Sequence, residues 1–133
     1  MRSCAEPRSR ILRRGIGVVK AMVIGALGPP IHRRARAIGV PVNHGFSGAY
    51  DFAAEKRATA ELFRRFVMGL PANGLIMCHP GYVDATLAAR DPMTTAREAE
   101  LAYLKSEAWT MLLAEHNLEV GPLIRAARTS IHR

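Results

Sequence analysis

The stretch from Leu75 to Asp84 reads LIMCHPGYVD, with His79 set between four apolar residues and a Pro-Gly break. A short apolar run bounded by turn signals predicts a strand over Leu75–Cys78, buried on both faces as in a parallel sheet. In parallel α/β folds functional side chains gather at the carboxyl ends of strands, where the loops converge on one crevice. An imidazole at such an end can donate or accept a proton near neutral pH, which makes His79 the candidate catalytic group. Asp84 can orient it or hold a substrate hydroxyl. Tyr82 can stack on a sugar ring or donate a hydrogen bond. Position alone leaves open that His79 merely closes its strand.

The neighbouring Cys78 does not complete a thiol dyad, because adjacent side chains on a strand point to opposite faces. It reads as a small buried hydrophobe. The other histidines are His32, His44, His116 and His132, and the chain contains no HxH, HExxH, Hx3H or CxxC spacing. Local spacing therefore gives no self-contained metal site. His32 sits among arginines and is expected to be exposed. His116 falls at a helix end, where the dipole favours a cation. His132 lies in the tail.

The elements that must position His79 follow from periodicity and breakers. Ile16–Leu27 is a helix candidate despite Gly17 and Gly25, ended by Pro29-Pro30, with Pro30 in the first turn of a second short helix, Ile31–Ile38. Gly39 is its C-terminal cap. Residues 40–53 predict a short strand and an ordered loop anchored by Phe46, Tyr50 and Phe52, with Asp51 placed to cap the next helix. There Leu62, Phe63, Phe66, Val67 and Leu70 share one face, and Gly69 and Pro71 end it. A loop is expected over Pro80–Thr94. Thr95 to Glu98 match a capping box that opens a helix bearing Leu101, Leu104, Ala108, Met111 and Leu112 on one face. Leu118–Ile124 is read as a last strand, before a frayed tail.

This alternation argues for an α/β fold, and three strands are too few to close a barrel. The expectation is a partial (β/α)-barrel-like fragment of alternating helices and short parallel strands. The first fifteen residues carry little periodicity.

The 133 residues suffice for one modest domain, and 49% hydrophobic content argues against disorder. Cys4 and Cys78 lie far apart, as expected in a reduced compartment. Ile16–Leu27 is interrupted by Lys20 and falls short of the roughly 20 residues of a membrane span. The chain is read as soluble and cytoplasmic. Residues 1–39 hold nine Lys and Arg against Glu6 alone, which accounts for the whole net charge of +8. That segment admits a second reading, as a basic module binding nucleic acid or an anionic surface. No aromatic residue precedes Phe46, so bases have no stacking platform there and specific nucleic-acid binding is not expected.

The stretch GLIMCHPGYVDATLAARDPMTTAREAELAYL closely resembles the C-terminal signature of the YdjC-like carbohydrate deacetylases, the ChbG/HpnK family. The matching features are His79-Pro80-Gly81, Asp84 and Arg97-Glu98-Ala99-Glu100-Leu101. NHGFSGAYDF is similar to a stretch of the hopanoid-associated HpnK branch, with His44 where the family usually has an acid. Residues 40–124 carry the likeness, residues 1–39 form a basic, weakly matching segment, and 125–133 are tail. The resemblance implies a hydrolase that cleaves the amide of an acetylated amino sugar or glycoconjugate and releases acetate. It also implies a divalent metal, Mg or Zn. The family holds that metal with an Asn-x-Asp-Asp-Phe-Gly block and His-x-Leu and His-x-His blocks, none of which occurs here.

MRSCAEPRSR resembles the stretch just after the histidine block. The chain is therefore expected to be the C-terminal half of such an enzyme, with no tight metal binding or turnover alone. The missing half or a second copy would be its partner. A third reading makes it a non-catalytic subunit that completes a barrel with another chain.

Overall fold

A computed structural model describes residues 1–52 and 57–122. Two short strands, β1 (Gly45–Ser47) and β2 (Gly74–Ile76), pair in parallel with Phe46 opposite Leu75. Parallel strands need a crossover, and helix α3 (Thr59–Val67) lies in it. The fold is mixed α/β, mostly helical, as the alternation of elements predicts. Beyond β2, the Met77 N–H donates to the Ser47 carbonyl at 2.8 Å and carries the pairing one residue further.

Residues 1–6 run beside β1 on its other edge. The Met1 ammonium donates to the Pro41 carbonyl, the Ser3 N–H to Asn43 Oδ1, and the Phe46 N–H to Glu6 Oε2. Each pair is 40 residues apart in sequence, the constant offset of two segments running parallel. Side chains make most of these bridges, so the alignment leaves no alternating ladder to read in the sequence.

Helix α1 (Arg8–Arg14) follows, in a region where periodicity gives no sign of a helix. Its last residue, Arg14, is buried. The guanidinium donates from Nη1 to the Phe46 carbonyl at 3.0 Å and from Nε to the Met68 carbonyl at 3.1 Å, and Nη1 lies 2.9 Å from Glu6 Oε1. Burial pulls the Arg14 pKa below its usual value, and Glu6 opposes that pull.

The two expected helices on either side of Pro29-Pro30 are one, α2 (Val18–Ala37). The prolines remove the N–H groups that would serve the carbonyls of Gly25 and Ala26, a cost that usually breaks a helix. Packing outweighs it here. Gly25, Gly28 and Ala35 line the buried side, and a Cβ at Gly28 would lie 2.2 Å from the Ala5 nitrogen. The glycines that weaken helix propensity are what let α2 lie against residues 4–6. Gly39, at φ +72°, follows the helix end as expected.

Helix α3 buries Leu62, Phe63, Phe66 and Val67, the face read from its spacing. Its N-cap is Ala58, so Asp51 does not serve it. The expected loop after Pro80 contains a short helix, α4 (Ala85–Arg90), capped by Asp84. The expected long helix after it is two, α5 (Thr95–Leu104) and α6 (Glu107–Glu115). Thr94 rather than Thr95 is the N-cap of α5 and makes no side-chain cap bond, so the capping box is not formed.

The break at Lys105-Ser106 resets the helical phase. Met111 is thereby turned out to 70% exposure and Ala108 is exposed, while Tyr103 and Trp109 join Phe63 with ring centroids 5.1 and 5.5 Å away. No strand forms over 118–122; Leu118 packs against the core instead, and residues 123 and 124 lie outside the described residues.

Two substitutions test this packing by urea denaturation. Ala in place of Gly28 favours the helix by about 1 kcal/mol in propensity, yet Gly28→Ala is expected to lower the midpoint because a backbone nitrogen occupies the space of the new methyl. Arg14→Ala strands the buried Glu6 carboxylate and should cost about 3–5 kcal/mol, whereas Arg10→Ala, whose longer contact to Glu6 is partly exposed, should cost less than about 1 kcal/mol.

Candidate functional site

The parallel arrangement brings the carboxyl ends of residues 1–6, β1 and β2 to one side of the fold. Gly48 sits where β1 ends, with φ +96° and the Met77 carbonyl oxygen 2.0 Å from where a Cβ would be, so only glycine lets the two strand ends come this close. Beyond it stands Tyr50, only 3% exposed. Beyond β2 stand Cys78 and His79, both half-buried, so this run is not enclosed on both faces as its composition suggests.

A buried carboxylate joins these ends. Glu100, on α5, is 1% exposed and accepts from the Tyr50 hydroxyl at 2.8 Å through Oε1 and from the His79 main-chain N–H through Oε2. The following Gly81 N–H donates to the Arg97 carbonyl at 3.2 Å. The turn carrying His79 is thus fastened to α5 on both sides of Pro80, which has no N–H of its own to offer.

The His79 ring stands edge-on to Phe52, with centroids 5.1 Å apart. Phe52 in turn lies under Lys20, whose Nζ is 5.0 Å from the ring centroid and donates to the Tyr50 carbonyl at 3.0 Å. His79 Nδ1 is enclosed and has no hydrogen-bond partner.

Asp91 carries its charge close enough to feel His79. The Arg97 guanidinium, 2.6 Å from Oδ2, and the Met93 N–H hold the Asp91 carboxyl below the usual aspartate range, with the Arg97 and His79 charges adding to the effect. Cys78 is pushed the other way: burial first and the Glu100 charge second raise its thiol pKa, which suits an inert packing residue.

The other residues singled out from sequence are placed as follows. Tyr82 is 77% exposed, and its hydroxyl accepts from Lys105 Nζ at 3.5 Å. Asp84 is exposed and accepts the Leu87 N–H at 2.7 Å. Neither is hydrogen-bonded to His79. His44 is exposed, and His116 ends α6 as expected. His32 is not the exposed group its arginine neighbours suggest, since its Nδ1 is buried without a partner on the packed side of α2.

Sequence reasoning missed Glu100 as a site residue. The available signal was an acid three and four residues before Tyr103 and Leu104, in phase with an apolar helix face. It also missed Glu6 and Arg14, which line a cavity of ≈ 20 Å³ with Phe46, Ser47, Gly48 and Ala49. That volume holds about one water, which could serve the buried and otherwise unpartnered Arg14 Nη2. Glu6 Oε1 is close enough to Arg14 for an ion pair without being aligned as a hydrogen bond. His79 does not line this cavity.

A family model described as YdjC-like protein matches residues 1–115. The chain belongs to the YdjC-like family. The match takes in the basic N-terminal segment as well as the His79 region, so it extends the likeness read from motifs into residues 1–39. The family is one of carbohydrate-deacetylase-like proteins, which supports that general function for this chain. No curated protein and no solved structure matches the chain.

The metal implied by that likeness was tested against the side chains. Among the described residues no three His, Cys, Asp or Glu side chains converge as ligands. The described residues by themselves therefore do not make up the ligand set of a divalent metal.

Two measurements follow. Glu100→Gln keeps the shape but weakens both charge-assisted bonds, so it should cost about 1–3 kcal/mol in denaturation and move the His79 amide proton resonance upfield. For Asp91, whose ordinary value is 3.8, the pKa is depressed in the folded state. Its contribution to stability is therefore complete above the ordinary value and is lost as pH falls through the depressed one. Carbon-13 carboxyl titration should show a low midpoint for Asp91 that returns to the usual range in Arg97→Met.

Proposed function

We propose that the chain supplies the C-terminal portion of a metal-dependent carbohydrate deacetylase of the ChbG/HpnK branch, acting in the cytoplasm on an acetylated amino sugar or glycoconjugate. In the net reaction, water adds to the acetyl carbonyl carbon, the C–N bond breaks, the nitrogen takes a proton, and acetate and the free amine leave. His79 is assigned the proton delivered to the departing nitrogen. Tyr82 and Asp84 are assigned to the substrate side of the same turn, with the exposed Tyr82 ring as a face for a sugar.

The observation that carries this reading is the held geometry of His79. Its main chain is fixed by a buried carboxylate, and its half-buried ring rests on Phe52 just beyond the carboxyl end of a parallel strand. The metal would be held by residues other than those described, on a polypeptide segment carrying the Asn-x-Asp-Asp-Phe-Gly and histidine blocks.

The test measures acetate release from N-acetylglucosamine conjugates by the chain alone and by the chain mixed with a polypeptide carrying those blocks. Release is expected only from the mixture. His79→Ala there should lower turnover by about 10²–10⁴-fold with a smaller change in substrate binding. Turnover by the chain alone would contradict the portion reading, and an unchanged rate in His79→Ala would remove His79 from the reaction.

A further inference from the structure

Helix α2 turns its large apolar residues outward. Val19, Val23, Leu27 and Ile31 recur at every fourth position and are 79, 60, 65 and 54% exposed. That spacing places them on one side of the helix. Ile38, just past the helix end, and Leu12 on α1 are exposed as well. The opposite side, with Gly25, Gly28 and Ala35, is the one packed on the protein.

The charge around this stripe has one sign. Between Glu6 and Asp51 the chain has no acidic residue. Arg33, Arg34 and Arg36, all exposed, lie along the last turns of α2, and Arg13 is exposed on α1. Two copies of α2 would meet with cations on both sides and no acid to pair with them, which disfavours self-association through this face.

The prolines separate the remaining occupants. Pro29 and Pro30 are exposed, and the Ala26 carbonyl that loses its intrahelical donor belongs to an exposed residue. A dry protein groove would bury that carbonyl without a partner at a cost. The hydrated headgroup layer of a membrane would not.

We propose that α2 is an interfacial helix that lays Val19, Val23, Leu27 and Ile31 into the surface of an anionic lipid bilayer, with its arginines among the headgroups. Apolar insertion and a basic cluster are the two signals that together give stable peripheral attachment. The helix lies on the surface; among the described residues none is long and apolar enough to cross a membrane. This attachment requires that the polypeptide completing the proposed enzyme leave the α2 stripe uncovered.

Co-sedimentation with vesicles tests it, using equal parts phosphatidylglycerol and phosphatidylcholine beside phosphatidylcholine alone. The chain should pellet with the anionic vesicles and much less with the neutral ones, and added salt should weaken the binding. Val23→Asp with Leu27→Asp, both at exposed positions, should weaken it by at least about tenfold with an unchanged circular dichroism spectrum. Arg33→Glu with Arg34→Glu, which leaves the apolar stripe intact, should weaken binding to anionic vesicles only. The proposal is overturned if the wild-type chain stays in the supernatant at low salt. It is equally overturned if binding survives both paired variants, or if neutral and anionic vesicles bind alike. A dimer in solution that Leu27→Asp dissociates would assign the stripe to a second copy and also overturn it.

Discussion

The outer edge of β1 is closed by an ion pair rather than by a strand. Phe46 presents an N–H and a carbonyl to that side, and Glu6 and Arg14 take one each while facing one another. A two-stranded sheet has two open edges and little reason to persist in water. With the β1 edge filled, residues 1–6 have a fixed place, α1 is anchored by its last residue, and α2 has a surface of small backbone features to lie on. Arg14 also reaches the Met68 carbonyl just past α3, so one guanidinium ties the N-terminal segment to the strand and to the end of the crossover helix. The basic segment is integral to the domain through the one arginine that is not solvated.

Such a pair is expensive to bury, and its net contribution depends on every lone pair and proton finding a partner. Here the backbone supplies most of them, and the small cavity at Arg14 Nη2 has room for a water to supply the last. The same logic recurs at the other end of the sheet. Glu100 has no cation beside it among the described residues; a phenol and a main-chain amide satisfy it instead. Both carboxylates act on backbone groups at strand edges or ends, so charge is used to hold main chain in place where the short strands cannot.

The sequence made some of this legible and hid the rest for physical reasons. The face of α3 was readable because Leu62, Phe63, Phe66 and Val67 all enter one hydrophobic cluster, so helical spacing alone picks out the residues that go inside. The placement of His79 past a parallel strand was readable because the apolar run before it is bounded by Pro80-Gly81, although the strand itself stops at Ile76. The continuity of α2 was not, because local propensity puts a break at Pro29-Pro30 and only contact with Ala5 shows why the helix persists. The split between α5 and α6 was hidden for a related reason. The spacing of Leu101, Leu104, Ala108, Met111 and Leu112 fits one helix, and only the aromatic cluster of Phe63, Tyr103 and Trp109 selects the other phase. Glu6, Arg14 and Glu100 were hidden because a buried charge is recognised by its partner: Glu6 lies outside the helix that carries Arg14, so no helical spacing joins them, and Glu100 meets Tyr50 from 50 residues away.

The division of labour within the site follows from the same constraint. Each parallel segment delivers one residue to its carboxyl end: Glu6 from the first, Tyr50 after β1, His79 after β2. Two of the three are consumed in fixing backbone, since Glu6 serves Phe46 and Tyr50 serves Glu100. His79 is held differently, through its main-chain N–H by a residue from α5, while its ring Nδ1 has no hydrogen-bond partner among the described residues. The architecture therefore places the anchor on the amide of residue 79 and packs the imidazole separately, against Phe52.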